Sequence, residues 1–338
     1  MLQPLDLTQE NSAKSTLGCD VLDGFLRGGF PCGIIAELTG EAAAGKTQVV
    51  LQSLLTVQLP RSEGGLAGKA VYIYTEGKPP VERLQSILAN RFQGRSDVSL
   101  AHVLIEERPI ATPEDLLRSV RQLEALLERE SVAATTTTGA GLGAAAAGEG
   151  RRVVRLVAID SVARVFRDDA TGEGDADPQV QRLQRRAAQL FGLATLLKRL
   201  AQRHQLAVLM TNQVMDDFND SGTTTATISS GGSRAAPLLS SGRRVLPALG
   251  LAWANCVNLR LFVARHDAWD GSVVRSLQVV FAPHLPHSYC FFRVDQAGVW
   301  GLGDEAEAQA ISSGGGGGGG AGGGGGHMLA SHPNPAAK

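Results

Sequence analysis

An apolar run, Ile34 to Leu38, leads into Gly40-Glu41-Ala42-Ala43-Ala44-Gly45-Lys46-Thr47, and from Lys46 to Leu59 apolar residues recur at helical spacing. A strand, a glycine-bounded turn ending in Lys-Thr and a helix together make a phosphate-binding loop. The glycines let the backbone bend until successive N–H groups face an anion, and the helix adds the positive end of its dipole. Residues Gly40 through Gln48, that is Gly40, Glu41, Ala42, Ala43, Ala44, Gly45, Lys46, Thr47 and Gln48, are therefore expected to hold ATP. Lys46 is expected at the β- and γ-phosphates and the Thr47 hydroxyl at Mg2+. A glycine-rich turn that binds nothing is the alternative, and the flanking strand and helix weigh against it.

The rest of the chain repeats this alternation. Strands are expected at Ile34–Leu38, Ala70–Tyr74, Val103–Ile105, Val153–Ile159, Leu206–Met210, Val257–Val263, Val273–Phe281 and Tyr289–Val294, and helices at Lys46–Leu59, Val81–Phe92, Pro113–Glu130 and Gln179–His204. Strand and helix in turn imply an α/β fold, a largely parallel sheet with helices on both faces. The short links between the last strands predict an antiparallel C-terminal portion. Ala133 to Gly150, Asp220 to Ser241 and Ser312 to Gly326 are rich in Thr, Ser, Ala and Gly, and bury too little apolar surface to offset their ordering. The expected organisation is a short extension at 1–14, a core at 15–303 with a low-complexity insert at 133–150 and a mobile loop at 215–246, and a disordered Gly-rich tail at 304–338.

Composition narrows the class. Lys and Arg number 32 against 33 acids, so the whole molecule carries no general attraction for nucleic acid or anionic membrane, and any DNA contact must come from local basic surface. Cys19, Cys32, Cys256 and Cys290 are widely spaced, which argues against zinc and against a disulfide framework. Met1 to Lys14 lacks a basic start followed by an apolar stretch, and there is no apolar run of about 18 residues, so neither secretion nor a membrane span is expected.

Three further strand ends carry chemistry. Asp160 closes a nearly continuous apolar run, at the carboxyl edge where ligands of such sheets bind; beside a phosphate loop it reads as the second Mg2+ anchor. Glu76 follows the Ala70–Tyr74 strand and is the candidate for polarising the attacking water, with an exposed turn residue as the alternative. Gln213 follows Leu206–Met210 in Thr211-Asn212-Gln213, and either senses the γ-phosphate or satisfies local backbone groups.

From Ser15-Thr16-Leu17-Gly18-Cys19-Asp20 through Gly28-Gly29-Phe30-Pro31 and the phosphate loop, then Thr75-Glu76, Asp160-Ser161 and Thr211-Asn212-Gln213-Val214, the chain resembles the RecA-like strand-exchange ATPases of eukaryotes and archaea. Pro247-Ala248-Leu249-Gly250 with Trp253-Ala254-Asn255, and Ala282-Pro283-His284-Leu285-Pro286, are similar to one branch of recombinase paralogues. The resemblance covers about Ser15 to Gly301. It implies a RecA-like P-loop core with a weak, DNA-dependent ATPase activity, accessory to homologous recombination in double-strand break and interstrand crosslink repair. It also implies nuclear placement, with the cytoplasm also open, and no membrane. The implied partners are another recombinase paralogue as heterodimer, single-stranded or branched DNA, and the main strand-exchange recombinase. An ATP-stabilised scaffold with little turnover is the alternative, and another RecA-fold motor or kinase a lesser one.

Relatives of this kind carry an N-terminal helical domain and a docking linker, whereas only residues 1–14 precede the matching region here. The resemblance also places two DNA-facing loops. One runs from Arg167 toward Arg182, Arg185 and Arg186, which share a helix face; the other includes Arg234, Arg243 and Arg244. Arginine forks across phosphate oxygens, so such contacts weaken as salt rises. Filament-forming relatives place an acid before the proline that caps a neighbour's nucleotide, and this chain has Ala282 before Pro283. The expected outcome is no long filament of this chain alone with ATP and DNA; regular filaments by electron microscopy would contradict it.

Overall fold

The computed structural model describes residues 13–138, 152–167, 179–217, 238–240, 243–267 and 272–303. The chain opens with β1 (Lys14–Ser15), α1 (Asp20–Phe25) and β2 (Phe30–Pro31), and then β3 (Ile35–Gly40) runs into α2 (Lys46–Thr56). There follow β4 (Lys69–Tyr74), α3 (Val81–Arg91), β5 (Val103–Ile105), α4 (Pro113–Thr138), β6 (Val154–Asp160), α5 (Val162–Arg167) and α6 (Gln179–His204). Next come β7 (Ala207–Asn212), β8 (Val214–Asp216), β9 (Leu239–Ser240), β10 (Arg243–Pro247) and α7 (Gly250–Ala254), and β11 (Leu259–Asp267), β12 (Val273–Phe281), β13 (Tyr289–Asp295) and β14 (Gly298–Gly301) close the chain.

The main sheet has nine strands in the order β14-β13-β12-β11-β3-β7-β6-β4-β5. From β11 to β5 neighbours are parallel, and from β11 to β14 they are antiparallel. The expected architecture is thus present, and β11 is the strand where parallel pairing gives way to antiparallel. Successive side chains of a strand point to opposite faces. Leu156 and Ala158 of β6 accordingly join the core cluster that holds α1, α2 and α3, while Val157 and Ile159 join the one that holds α4, α5, α6 and α7. Because both faces are covered, β6 reads as a continuous apolar run rather than an alternating one.

Thr112 and Asp115 cap α4 reciprocally: Asp115 N donates to Thr112 Oγ1 at 3.2 Å and Thr112 N to Asp115 Oδ2 at 3.1 Å, with Pro113 at the first helical position. The helix continues through Thr138, so residues 133–138 of the expected insert belong to α4. Gln189–Glu114, Arg199–Glu124 and Arg203–Glu128 contacts all join residues 75 apart. A constant offset means that α4 and α6 run in the same direction, as parallel crossovers require. The ends of the expected mobile loop at 215–246 are ordered strands: β8, β9 and β10 form a separate three-stranded antiparallel sheet.

Beneath the carboxyl edge of the sheet lies a buried carboxylate held by several partners. Glu37 on β3 is fully buried; its Oε1 accepts from Asn212 Nδ2 of β7 at 2.8 Å and from Trp253 Nε1 of α7 at 2.7 Å, and its Oε2 pairs with Arg260 of β11. One carboxylate therefore joins three neighbouring strands and a helix. Breaking a buried ion pair costs about 3–5 kcal/mol because the survivor is left charged and unpaired, whereas replacing both partners by apolar groups is often neutral. Glu37→Leu is expected to lower stability by that amount, and Glu37→Leu with Arg260→Met to recover much of it. Urea unfolding midpoints check this; a double variant as unstable as the sum of the singles would refute the pairing.

Candidate nucleotide site

The site sits where β3, β4, β6 and β7 end together. At the centre β3 gives way to the phosphate loop, closely backed by β11: a Cβ on Gly40 would lie 2.1 Å from the Val263 carbonyl oxygen, so no larger residue fits. Ala43 and Gly45 turn the chain through left-handed backbone, with φ of 60° and 111°. The conformation suits Gly45 because a side chain there would also meet Arg275 Cδ at 3.0 Å. Helix α2 begins at once, with no side chain capping its first turn, so its N–H groups remain directed toward the loop.

Lys46 is buried, and its Nζ donates to the Gly40 carbonyl at 2.8 Å and the Glu41 carbonyl at 2.7 Å. Burial lowers its ammonium below the ordinary lysine value, against the charges of Asp160, Glu76 and Glu41, which raise it. Asp160 ends β6, almost wholly buried. Burial pushes its carboxyl above the usual aspartate value, opposed by hydrogen bonds from Thr211, Thr47 and Tyr72. The Tyr72 hydroxyl lies 3.2 Å from Oδ2, and burial together with Asp160 keeps that phenol protonated. Thr47 and Asp160, expected together from the sequence, lie near enough for the Thr47 hydroxyl to lower the Asp160 value.

A second, exposed tier lies above them. Thr75 ties β4 to β6, its Oγ1 donating to the Ser161 carbonyl at 2.8 Å and accepting from Ser161 N at 3.0 Å. This fixes Glu76, whose Oε1 accepts from Ser161 Oγ and from Gln213 Nε2, both at 2.8 Å. The Gln213 side-chain carbonyl in turn accepts from Arg167 at the end of α5. Glu76, Gln213 and Arg167 therefore form one polar chain beside the phosphate loop. Asn212, immediately before Gln213, is the residue held by Glu37.

A cavity of about 580 Å3 opens over the loop, lined among others by Lys46, Thr47, Gln48, Arg83, Arg275 and Gln296. Arg83 and Arg275 were not foreseen from the sequence. Arg83, on the first turn of α3, donates to Gln48 Oε1 at 2.7 Å and to the carbonyls of Asp295 and Gln296 at 2.5 and 3.0 Å. Burial lowers the Arg83 value, opposed by Asp295. Arg275, on β12, has a buried Nε with no hydrogen-bond partner among the described residues. Burial and then Arg265 lower its value.

The arginines expected to meet DNA are dispersed. Arg167 bonds Gln213, while Arg182, Arg185 and Arg186 lie on α6. Arg234 lies outside the described residues. Arg244 is exposed on β10, but Arg243 is paired with Glu41 and Asp216; a DNA phosphate would have to displace two carboxylates, which spacing alone did not reveal. Among the described residues no helix is long and apolar enough to cross a membrane.

The Rad51 family profile matches residues 9–133 and 137–302. The DNA repair protein XRCC3 homolog of Arabidopsis thaliana is 34% identical over 85% of this chain and 92% of its own length. The DNA repair protein XRCC3 of Bos taurus is 35% identical over 87% of this chain and 76% of its own length. The DNA repair and recombination protein RadA of Metallosphaera sedula is 28% identical over 87% of this chain and 75% of its own. The fold, the strand-end site and these likenesses agree: the chain belongs to the Rad51 family, as an XRCC3-like recombinase paralogue of DNA repair by homologous recombination.

Proposed function

We propose that the chain is a slow, DNA-responsive ATPase that works with a second recombinase paralogue, in the nucleus, on single-stranded or branched DNA and alongside the main strand-exchange recombinase. The observation that carries the nucleotide reading is the buried pair Lys46 and Asp160, with half-buried Thr47 beside them, under a glycine-bounded loop. The residues fit ATP with Mg2+: Arg275 offers a buried donor without a partner, α2 has an uncapped N-terminus, and the cavity of about 580 Å3 is of ligand-binding size.

ATP and Mg2+, when bound, supply a phosphoanhydride whose terminal phosphoryl group passes to water. Lys46 would leave its two backbone carbonyls for the phosphate oxygens, and Thr47 and Asp160 would hold the cation. Glu76, at the rim, would orient the water and take its proton; Gln213, bonded to the same carboxylate, would register the change. Arg83 and Arg275 add positive charge from elements outside the phosphate loop.

One observation favours a scaffold with little turnover. Glu76 Oε1 already accepts two hydrogen bonds, which a water would have to replace. Both readings are decided by ATP hydrolysis with and without single-stranded DNA at two salt concentrations. Glu76→Gln is expected to reduce turnover at least about 100-fold, the lower range for a general base, while nucleotide stays bound, and DNA stimulation is expected to fade as salt rises. Unchanged turnover in Glu76→Gln removes the catalytic role, and tight binding by the unaltered chain without turnover establishes the scaffold.

A further inference from the structure

Arg243 was expected to meet DNA, yet its guanidinium faces the nucleotide site. Its Nη2 donates to Glu41 Oε1 at 2.5 Å and its Nη1 to Asp216 Oδ1 at 2.8 Å. Glu41 is the second residue of the phosphate loop, and its side chain is only 18% exposed. Asp216 is on β8 and Arg243 on β10, strands paired antiparallel through Val214↔Pro247, Met215↔Leu246 and Asp216↔Val245. One guanidinium therefore bridges the loop to both strands of this ribbon.

The ribbon is fastened to the site a second time. Gln213, immediately before β8, accepts from Ala248 N through its carbonyl at 2.9 Å and donates through its side chain to Glu76. Among the described residues the ribbon is otherwise lightly held. It belongs to a sheet separate from the main one, and its buried contact is a small cluster of Val245, Phe262 and Ala264. Such a unit can shift without disturbing the core, because few buried apolar contacts oppose it.

We propose that Glu41 and Arg243 are a positioning pair that transmits occupancy of the phosphate loop to the β8–β10 ribbon. The proposal rests on the nucleotide reading above. Lys46 supplies the trigger: its Nζ holds the carbonyl of the same Glu41 whose carboxylate holds Arg243. When the ammonium turns toward an anion, the Gly40 and Glu41 carbonyls lose their donor, and the Glu41 peptide can reorient together with its side chain. Arg243 follows because its planar fork spans two carboxylates at once, a geometry that a point charge does not impose. Gln213 reports from the other end of the ribbon, so the strands respond to the state of the loop and of the rim together.

The test uses the full chain with Mg2+ and a nonhydrolysable ATP analogue. Amide hydrogen exchange is followed at 214–216 and 243–247, and affinity for the analogue is measured in parallel. In the unaltered chain the analogue is expected to change exchange in both strands by roughly two- to fivefold, the scale of a partly exposed ion pair. In Arg243→Ala that response should disappear. Arg243→Met, which keeps the apolar stem, should lose it as well, and so guards against a folding defect. A response preserved in both variants overturns the pair's role. An unaltered chain that binds the analogue without any ribbon response overturns the relay and leaves the nucleotide reading standing; failure to bind the analogue removes both.

Discussion

The carboxylate of Glu37 is the interaction on which the working edge of this molecule depends. It is an anion at the centre of an otherwise apolar sheet face, and charges in such places persist only when paired and hydrogen-bonded. Here the partners come from β7, β11 and α7, so satisfying one charge fixes where three strands stand relative to one another. A slip of one residue in β3 would turn Glu37 to the other face and leave Arg260 buried alone. The register that prevents this also places the phosphate loop, Gln213 and the start of the ribbon at one level. The pair thus contributes more to specifying the arrangement than to its net stability, in line with the desolvation that burying two charges demands.

Above this base the site separates its two carboxylates by environment. Asp160 lies deep between Tyr72 and Thr211, where three hydroxyl donors oppose the effect of burial. Glu76 stands one strand away at the exposed rim and is held by Ser161 and Gln213. A buried, hydroxyl-lined carboxylate suits a cation that stays; an exposed one suits exchange with water. Carboxylates at similar strand ends are thus suited to different roles, because β6 ends inside the protein and β4 ends at its surface.

Much of this was legible in the sequence because it is local. The phosphate loop, the apolar runs of β3, β6 and β7, and the polar residues that end them each lie within a few positions of the pattern that reveals them. What escaped depends on folding. Arg83 and Arg275 reach the cavity from α3 and β12, and neither stands in a pattern that distinguishes it from a surface arginine. Thr138 remains helical despite a run of threonines, because α4 carries through from a well-packed first half. Arg243 shows what spacing omits: it lies among arginines at a loop edge, where a basic face invites nucleic acid, and the antiparallel pairing of β8 with β10 brings Asp216 beside it while the end of β3 brings Glu41.

The phosphate loop itself shows why the distant residues matter. Between its glycines stand Glu41, whose carboxylate is paired with Arg243, and then Ala42, Ala43 and Ala44, with Ala42 and Ala43 exposed and Ala44 buried. Methyl groups offer an anion no hydrogen bond, so within the loop only backbone N–H groups and Lys46 remain to attract it. Additional positive charge at the cavity must come from Arg83 and Arg275. Arg83 is positioned by the carbonyls of Asp295, the last residue of β13, and of Gln296, which follows it, and Arg275 is carried by β12. The charge of the site is thereby tied to the antiparallel end of the sheet, so a change that loosens β12 or β13 would move that charge without touching the loop.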